Sequence, residues 1–501
     1  MEMIYPENTL STYNRFYRQE HTLTVVMLAA AQRIAPHHDI VVHHRFAGGL
    51  YCTGLITELN SVERGDLDLD RLASEMKRIV ESGESIESVT LPFAAAMKLL
   101  QEQEWPGTAR LLEQNSTDSV RFWSLAGTLV WLPDEPVCEI AGVSGFAIEK
   151  YKNGFVIRLP DRNNLARYTP FAPSEKLFQA LVQANDWGVK TRVYDLGTLN
   201  IQIANDPIGL ILTAETLHEQ YLTDIARAVT NGLPNRRVVL IAGPSSSGKT
   251  TFSRRLMIQL RAMAIHSLPI PMDDYFKDRD ICPKDEFGNY DFEHFECLDR
   301  ETLSKDIAKL LRGESIVLPK FDFISGTSKR TGKTVQLHAN EVLILEGIHG
   351  LNPNLLPEID SQQLTRIFVS ALTNLNVDRH SRIPTSDIRL LRRMVRDYRT
   401  RGHSPTATLS RWDSVRKGED HWIFPFQDNA DLLFNSALVY EIACLRNRVH
   451  TLLSLAEVKG VAAEHAGRIR MLLDLVRPID HRAIPLHSVI REFIGGGVWE
   501  V

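Results

Sequence analysis

The sequence predicts a doubly wound α/β domain with a mostly parallel sheet, preceded by a smaller α+β domain. Three observations carry this. A strand-like run at Arg237–Ala242 passes directly into a Gly-rich loop and then a helix-forming stretch. Further short runs at His266–Pro271, Glu341–Leu345 and Arg366–Val369 alternate with helical stretches. Before residue 165 the pattern is different: helical stretches come first, then short strand-like runs separated by Pro and Gly.

Composition bounds the reading. A chain of 501 residues suits about three domains. Hydrophobic residues at 44% and charged residues at 24% describe an ordinary globular chain and exclude disordered, collagen-like and disulfide-dense classes. Lys plus Arg number 57 against 62 Asp plus Glu, a net charge of −5, so a polyanion-binding surface is not the overall design and DNA is not an expected partner. No apolar run approaches the roughly 18 residues that span a bilayer, and the opening stretch lacks a signal-peptide pattern. The five cysteines, Cys52, Cys138, Cys282, Cys297 and Cys444, are scattered and form no CxxC, which suits reduced thiols. These features point to a cytoplasmic chain without a membrane partner.

Along the chain, residues 24–35 have helical composition and stop at Pro36. Residues 66–82 place Leu69, Leu72, Met76 and Ile79 at helical spacing behind an acidic start. Ser124–Leu132 and Gly154–Leu159 read as strands. Residues 174–187 and 215–231 read as helices of a connector, ended by the breaker Asn231-Gly232-Leu233-Pro234. The expected division is therefore an α+β domain over 1–165, a helical connector over 166–232, and an α/β domain over 233–501 with a helical tail.

The loop at 243–250 reads GPSSSGKT. Strand before and helix after are the setting that G-x-x-x-x-G-K-[ST] needs. Glycines let backbone N–H groups turn inward around phosphate, and the helix start adds its positive dipole end. Gly243, Pro244, Ser245, Ser246, Ser247, Gly248, Lys249, Thr250 and Thr251 thus form a candidate nucleotide-binding loop, with Lys249 reaching β- and γ-phosphates and Thr250 ligating Mg²⁺. Gly326–Thr334, GTSKRTGKT, has one residue too many between its glycines and is read as a basic surface turn.

Two carboxylate positions follow. Residues 268–277, LPIPMDDYFK, end an apolar stretch in Asp273 and Asp274, at the carboxyl end of a predicted strand. A carboxylate there suits accepting a proton from an attacking hydroxyl. Glu341–Gly347, EVLILEG, ends a strand in Glu346, which suits holding Mg²⁺. Residues 388–402, IRLLRRMVRDYRTRG, bring six arginines; most are expected on a solvated face, with two or three reaching phosphate.

Taken in order, GPSSSGKTT, MDDYFKD, NYDFEHFECLD, LPKFDF, VLILEGIHGLNP and RLLRRMVRD resemble the uridine kinase/phosphoribulokinase family of P-loop kinases, over about Arg237 to Tyr440. More narrowly, the chain resembles two-domain uridine kinase-like nucleoside kinases. Their N-terminal region is similar to the second N-terminal domain of threonyl-tRNA synthetase, here over about residues 20–160. The resemblance implies a P-loop NTPase fold and ATP-dependent transfer to the 5′-hydroxyl of a nucleoside. It implies Asp273 as general base, Asp273 and Tyr275 as substrate-binding residues, Asp291 on the ribose, Glu346 on the metal, Phe321 against the base, and Arg392, Arg393 and Arg396 at the transferring group. In the family's pyrimidine-reading segment a Tyr and a His are replaced here by Phe321 and Gly326, which weakens base selection. In the synthetase-like region Val25 and Ala29 stand where the editing histidines would be, so no editing activity is carried over. His37, His38, His43 and His44 lack a ligand spacing and are read as loop residues. The alternatives are a different alcohol acceptor, such as a sugar phosphate, and a regulatory or RNA-associated ATP-binding module. RNA contact by the N-terminal domain and a homo-oligomeric state are left open.

Overall fold

The computed structural model describes residues 12–58, 61–64, 67–115, 117–136, 139–284, 288, 290–322, 325–330, 332–373 and 375–499. They form two compact units, each assembled from separate stretches of chain. The first comprises Met1–Pro207, Thr373–Ile388 and Ile442–Ile479; the second comprises Ile208–Leu372, Arg389–Glu441 and Asp480–Val501. This interleaving differs from a linear division at 165 and 232. Most of the long helix Pro207–Asn231, expected in a connector, belongs with the second unit.

The first unit is an α+β structure. His38–Phe46, Gly49–Glu58, Gly154–Arg158 and Ile148–Tyr151 pair in that order as an antiparallel sheet, with Ser61–Arg64 added alongside Gly49–Glu58. The helix Thr12–Ile34 begins well before the expected residue 24, because Phe16 and Tyr17 bury their rings along with Leu23. Val25 and Ala29 are fully buried in it. The helix Leu69–Glu81 is capped by Asp68, whose side chain accepts from Arg71 N, and buries Leu72, Met76 and Ile79. The expected single strand Ser124–Leu132 is instead a hairpin: Ser119–Leu125 turns at Ala126 and Gly127, both at positive φ, into Thr128–Val130. His38, His43 and His44 lie in a strand rather than a loop, and His43 Nε2 pairs with Thr53 Oγ1 at 2.8 Å.

Buried carboxylates tie the segment Thr373–Ile388 into this unit: Arg382 pairs with Glu20 at 2.7 Å, Asp378 accepts from Thr108 Oγ1 at 2.6 Å, and Asp39 meets two residues of the segment. Asp39 accepts from Arg379 Nη1 at 2.8 Å and is paired with His380 Nε2 at 2.7 Å. Burial penalises both charges, yet the pairing prevails: the Asp39 carboxyl is held below its usual range and the His380 imidazole above its own. Such a pair costs more to break than to keep, because either partner alone would be a buried charge.

The second unit is a doubly wound α/β structure. Its sheet runs in the order His266–Pro271, Glu341–Glu346, Val238–Ala242, Leu364–Ser370 and Leu432–Asn435, and all four pairings are parallel. The central strand Val238–Ala242 is buried throughout, as its unbroken apolar run requires. Alternate side chains serve two layers. Val238 and Leu240 pack with Leu303, Ile307 and Leu310 of the helix Arg300–Leu311. Val239 and Ile241 pack with Phe252, Leu256 and Leu260 of the helix Lys249–Ala262, and with Leu222, Ile225 and Val229 of the helix Pro207–Asn231. That apolar stripe explains why the helix before the breaker belongs with this sheet.

Cys52, Cys282, Cys297 and Cys444 are buried and none is in a disulfide; Cys138 lies outside the described residues. Among the described residues, no helix is long and apolar enough to cross a membrane.

Candidate active site

The Gly-rich loop leaves the carboxyl end of the central strand, where an open parallel sheet forms its crevice. Two glycines are sterically required. A Cβ at Gly243 would lie 2.0 Å from the Val369 carbonyl oxygen. Gly248, at φ +85°, is left-handed, and a Cβ there would lie 2.6 Å from Val489 Cγ1. The helix Lys249–Ala262 then starts with no capping side chain from Gly248. Its first N–H groups need partners from outside the helix.

Lys249 is buried, and its Nζ donates to the Pro244 carbonyl at 3.1 Å. Burial lowers its pKa, while Glu346, Asp273 and Glu492 oppose that by their charge. Thr250 Oγ1 donates to Glu346 Oε2 at 3.4 Å. The Glu346 carboxyl is pushed up to about 7, chiefly by burial and further by Asp273 and Glu492, against the pull of Lys249. Burial also raises the Asp273 carboxyl, with Lys249, Arg401 and Arg396 drawing it down and Asp274 pushing it up. Lys249, Thr250, Asp273 and Glu346 therefore share one local field.

The two neighbouring aspartates separate cleanly. Asp274 Oδ1 accepts from Phe321 N at 3.3 Å and pairs with Lys320 Nζ at 3.2 Å, which ties it to the hairpin formed by Lys320–Asp322 and Thr327–Lys329.

The arginines of the helix Thr385–Thr400 differ most from expectation. Arg389, Arg392 and Arg396 are buried rather than solvated. Arg389 pairs with Glu419, and its Nε donates to the Ser245 carbonyl at 2.9 Å. Glu419 Oε1 also accepts from Ser245 N at 3.2 Å. Arg392 pairs with Glu441 at 2.6 Å, and donates to the Ser436 carbonyl at 2.8 Å and the Ser246 carbonyl at 3.4 Å. These two brace the loop from behind. Arg393 reaches forward: its Nη1 donates to Ser245 Oγ at 2.9 Å. Arg396 pairs with Asp397 at 2.7 Å and lies within the field of Asp273. Nothing in the sequence marks Glu419 or Glu441 as counter-ions, since each lies tens of residues from its arginine.

Of the acceptor-side residues, Asp291 Oδ1 accepts from Glu293 N at 3.2 Å, and a Cβ at Gly418 would lie 3.5 Å from it. Glu293, which no sequence motif marks, has its carboxyl raised to about 7 by burial, with Glu419 and Asp291 adding to the rise and Arg393 opposing it. Phe321 is buried edge-on to Phe276, with centroids 5.9 Å apart. Tyr275 is a core residue, with its hydroxyl on Asp306 at 3.1 Å, and is not brought to the loop. Gly326 is left-handed at φ +74°, and a Cβ there would lie 2.7 Å from Arg279 Nε, so a side chain would be strained and would displace Arg279. The short strand Thr334–Gln336, not a helix, comes next after Gly332, so the second glycine-lysine motif lacks the loop-to-helix switch of a phosphate loop.

Residues 238–443 match the family described as phosphoribulokinase/uridine kinase. A uridine kinase of Staphylococcus aureus (strain JH9) is 28% identical over 197 residues, which is 39% of this chain and 86% of that protein. A uridine kinase of strain Newman of the same species matches over the same extent. Among solved structures, one of a possible uridine kinase from Bacillus stearothermophilus is 19% identical, covers 43% of this chain and 98% of that one, and has a TM-score of 0.31. One of a putative fructose transport system kinase from Silicibacter sp. TM1040 is 20% identical over 42% of this chain and 98% of that one, with a TM-score of 0.31.

Thr250 and Glu346 offer a hydroxyl and a carboxylate oxygen, the donor chemistry of Mg²⁺. Burial raises the Glu346 carboxyl. A consequence for stability follows. A folded carboxyl at about 7 against an ordinary value of 4.5 favours the fold fully below 4.5 and loses that contribution as pH rises through about 7. Glu346→Gln is therefore expected to melt a few degrees above the parent at pH 8 in the absence of ligands, to match it near pH 4.5, and to lose turnover. Thermal melts at both pH values, beside an activity assay, check this.

Proposed function

We propose that the chain is an ATP- and Mg²⁺-dependent phosphotransferase acting on a hydroxyl of a small molecule, most closely the 5′-hydroxyl of a nucleoside. The observation that carries the reading is one of register: Asp273 comes two residues after Pro271, which aligns with Glu346 across the parallel sheet, and Glu346 accepts from Thr250 of the loop, while Asp274, the neighbour of Asp273, is tied to a hairpin. A kinase needs one carboxylate facing the transferring group and free to take a proton. The family match over residues 238–443 supports the same reaction class.

Each part then has a task. The loop amides and Lys249 hold the phosphates of the nucleotide. Bound Mg²⁺ supplies neutralisation of charge on the phosphate oxygens, and Thr250 and Glu346 would hold it. Asp273 accepts the proton of the attacking hydroxyl. Arg393 and Arg396 add positive charge on the same side, and Arg389 and Arg392 fix the loop backbone. The 28% identity to a uridine kinase favours a nucleoside acceptor, with Asp291 reading the sugar.

The test is a panel of nucleosides and other alcohols with ATP and Mg²⁺, with product detection. Phe321 and Gly326 offer no side-chain hydrogen-bonding group to a base edge, and stacking accepts any base. Uridine, cytidine and at least one purine nucleoside are expected to give similar kcat/KM, with deoxy sugars poorer. Turnover of uridine alone would overturn the account of base selection; turnover of no nucleoside would overturn the acceptor class.

A further inference from the structure

The start of the helix Lys249–Ala262 is occupied by the chain's own C-terminal segment. Glu492 Oε2 accepts from Thr251 N at 3.0 Å and from Thr251 Oγ1 at 2.8 Å. The carboxylate is 6% exposed and bears electrostatically on Lys249 and Glu346. It is held in place from several sides. Val489, Ile490, Phe493 and Ile494 are buried around it. Arg399 donates to the Glu492 carbonyl at 3.0 Å and the Phe493 carbonyl at 3.2 Å. The Arg392 guanidinium lies 5.0 Å from the centre of the Phe493 ring.

Thr251 is the third residue of the helix, and its N–H is one of the orphan donors that a phosphate-binding loop presents to an anion. A carboxylate on that N–H and on the adjoining hydroxyl takes the place of a phosphate oxygen, with matching charge and acceptor chemistry. We propose that Glu492 is a built-in competitor of the nucleotide: it holds the Thr251 donor pair in the free protein, and nucleotide binding requires it to leave. The inference rests on the loop being a nucleotide site. Its particular content is that the tail opposes binding. If Glu492 only capped the helix, removing it would leave nucleotide affinity unchanged or weaken it. If it competes, removing it releases two donors and one like charge.

Direct titration of Mg·ATP into the full-length protein separates these. Glu492→Gln keeps the shape but weakens the acceptor and removes the charge; Glu492→Ala removes the acceptor. ATP dissociation constants are expected to fall in the order parent, E492Q, E492A, with the last about tenfold tighter, the equivalent of ~1.4 kcal/mol. Arg399→Ala, which loosens the segment without touching the carboxylate, is expected to tighten binding several-fold and guards against a folding defect in the first two. Melts without nucleotide should show the Glu492 variants equal to or below the parent, with a larger upward shift on adding Mg·ATP. Equal or weaker ATP binding by the folded variants overturns the competitor while leaving the loop assignment standing. Binding by neither parent nor variants overturns both.

Discussion

Lys249→Ala is expected to abolish turnover, by roughly 10²–10³-fold or more, while the protein remains folded. The size follows from two effects acting together. In the proposed reaction the ammonium is the cation that reaches the transferring phosphates. It also lowers the pKa of both Glu346 and Asp273, whose carboxyls burial already raises. Without Lys249 both drift further upward, so the candidate metal ligand and the candidate base are protonated more often. The fold should survive because Lys249 does little structural work. Its Nζ donates to a single loop carbonyl, that of Pro244, whereas the carbonyls of Ser245 and Ser246 are held by Arg389 and Arg392. Burial of the ammonium is itself unfavourable, as its lowered pKa shows, so deletion removes a cost along with a contact. Turnover measured beside a thermal melt decides the matter. A folded variant with unchanged turnover would remove the loop from the chemistry altogether.

The parts legible in the sequence are those whose physics is local. GPSSSGKT is contiguous, and its neighbours supply the strand and helix that give it meaning. The strand ends that carry Asp273 and Glu346 show as apolar runs closed by a carboxylate, and both runs are strands of the parallel sheet. The arginines could not be sorted in the same way. Arg389, Arg392 and Arg396 share a helix face, but whether that face meets water or carboxylate depends on Glu419, Glu441 and Asp397. Two of those partners come from other helices, and an isolated helical pattern does not reveal them. The family resemblance puts Tyr275 among the substrate-binding residues, yet the short helical turn Met272–Tyr275 sends its ring into the core. Interleaving of the two units leaves no mark on composition either. Thr373–Ile388 joins the first unit through Glu20, Asp39 and Thr108, residues some hundreds of positions earlier. Glu492 is the extreme case, an ordinary acidic residue whose meaning comes only from the helix start it reaches.

Asp273→Asn is expected to lower kcat by about a hundredfold or more, the usual scale for loss of a general base. The amide is nearly isosteric, so packing is preserved, but it cannot take a proton from an attacking hydroxyl. Affinity for ATP should change little. Asp273 is one of the charges that raise the Glu346 carboxyl, so neutralising it favours the ionised form of the metal ligand. The pH dependence adds a second readout. Burial raises the Asp273 carboxyl, so the parent should lose rate as pH falls through a value above the ordinary 3.8, and D273N should lack that acid limb. Asp274→Asn provides the contrast. It weakens an ion pair to Lys320, whose side chain is 70% exposed, a contact of about 0–1 kcal/mol, and its other role is to hold Phe321 N. It should therefore act on the hairpin and raise KM for the acceptor more than it lowers kcat. Steady-state kinetics on both variants across pH gives the ranking. If D274N were the one to lose kcat and the acid limb, the proton would go to Asp274, and the hairpin carrying Phe321 would have to move for it to do so.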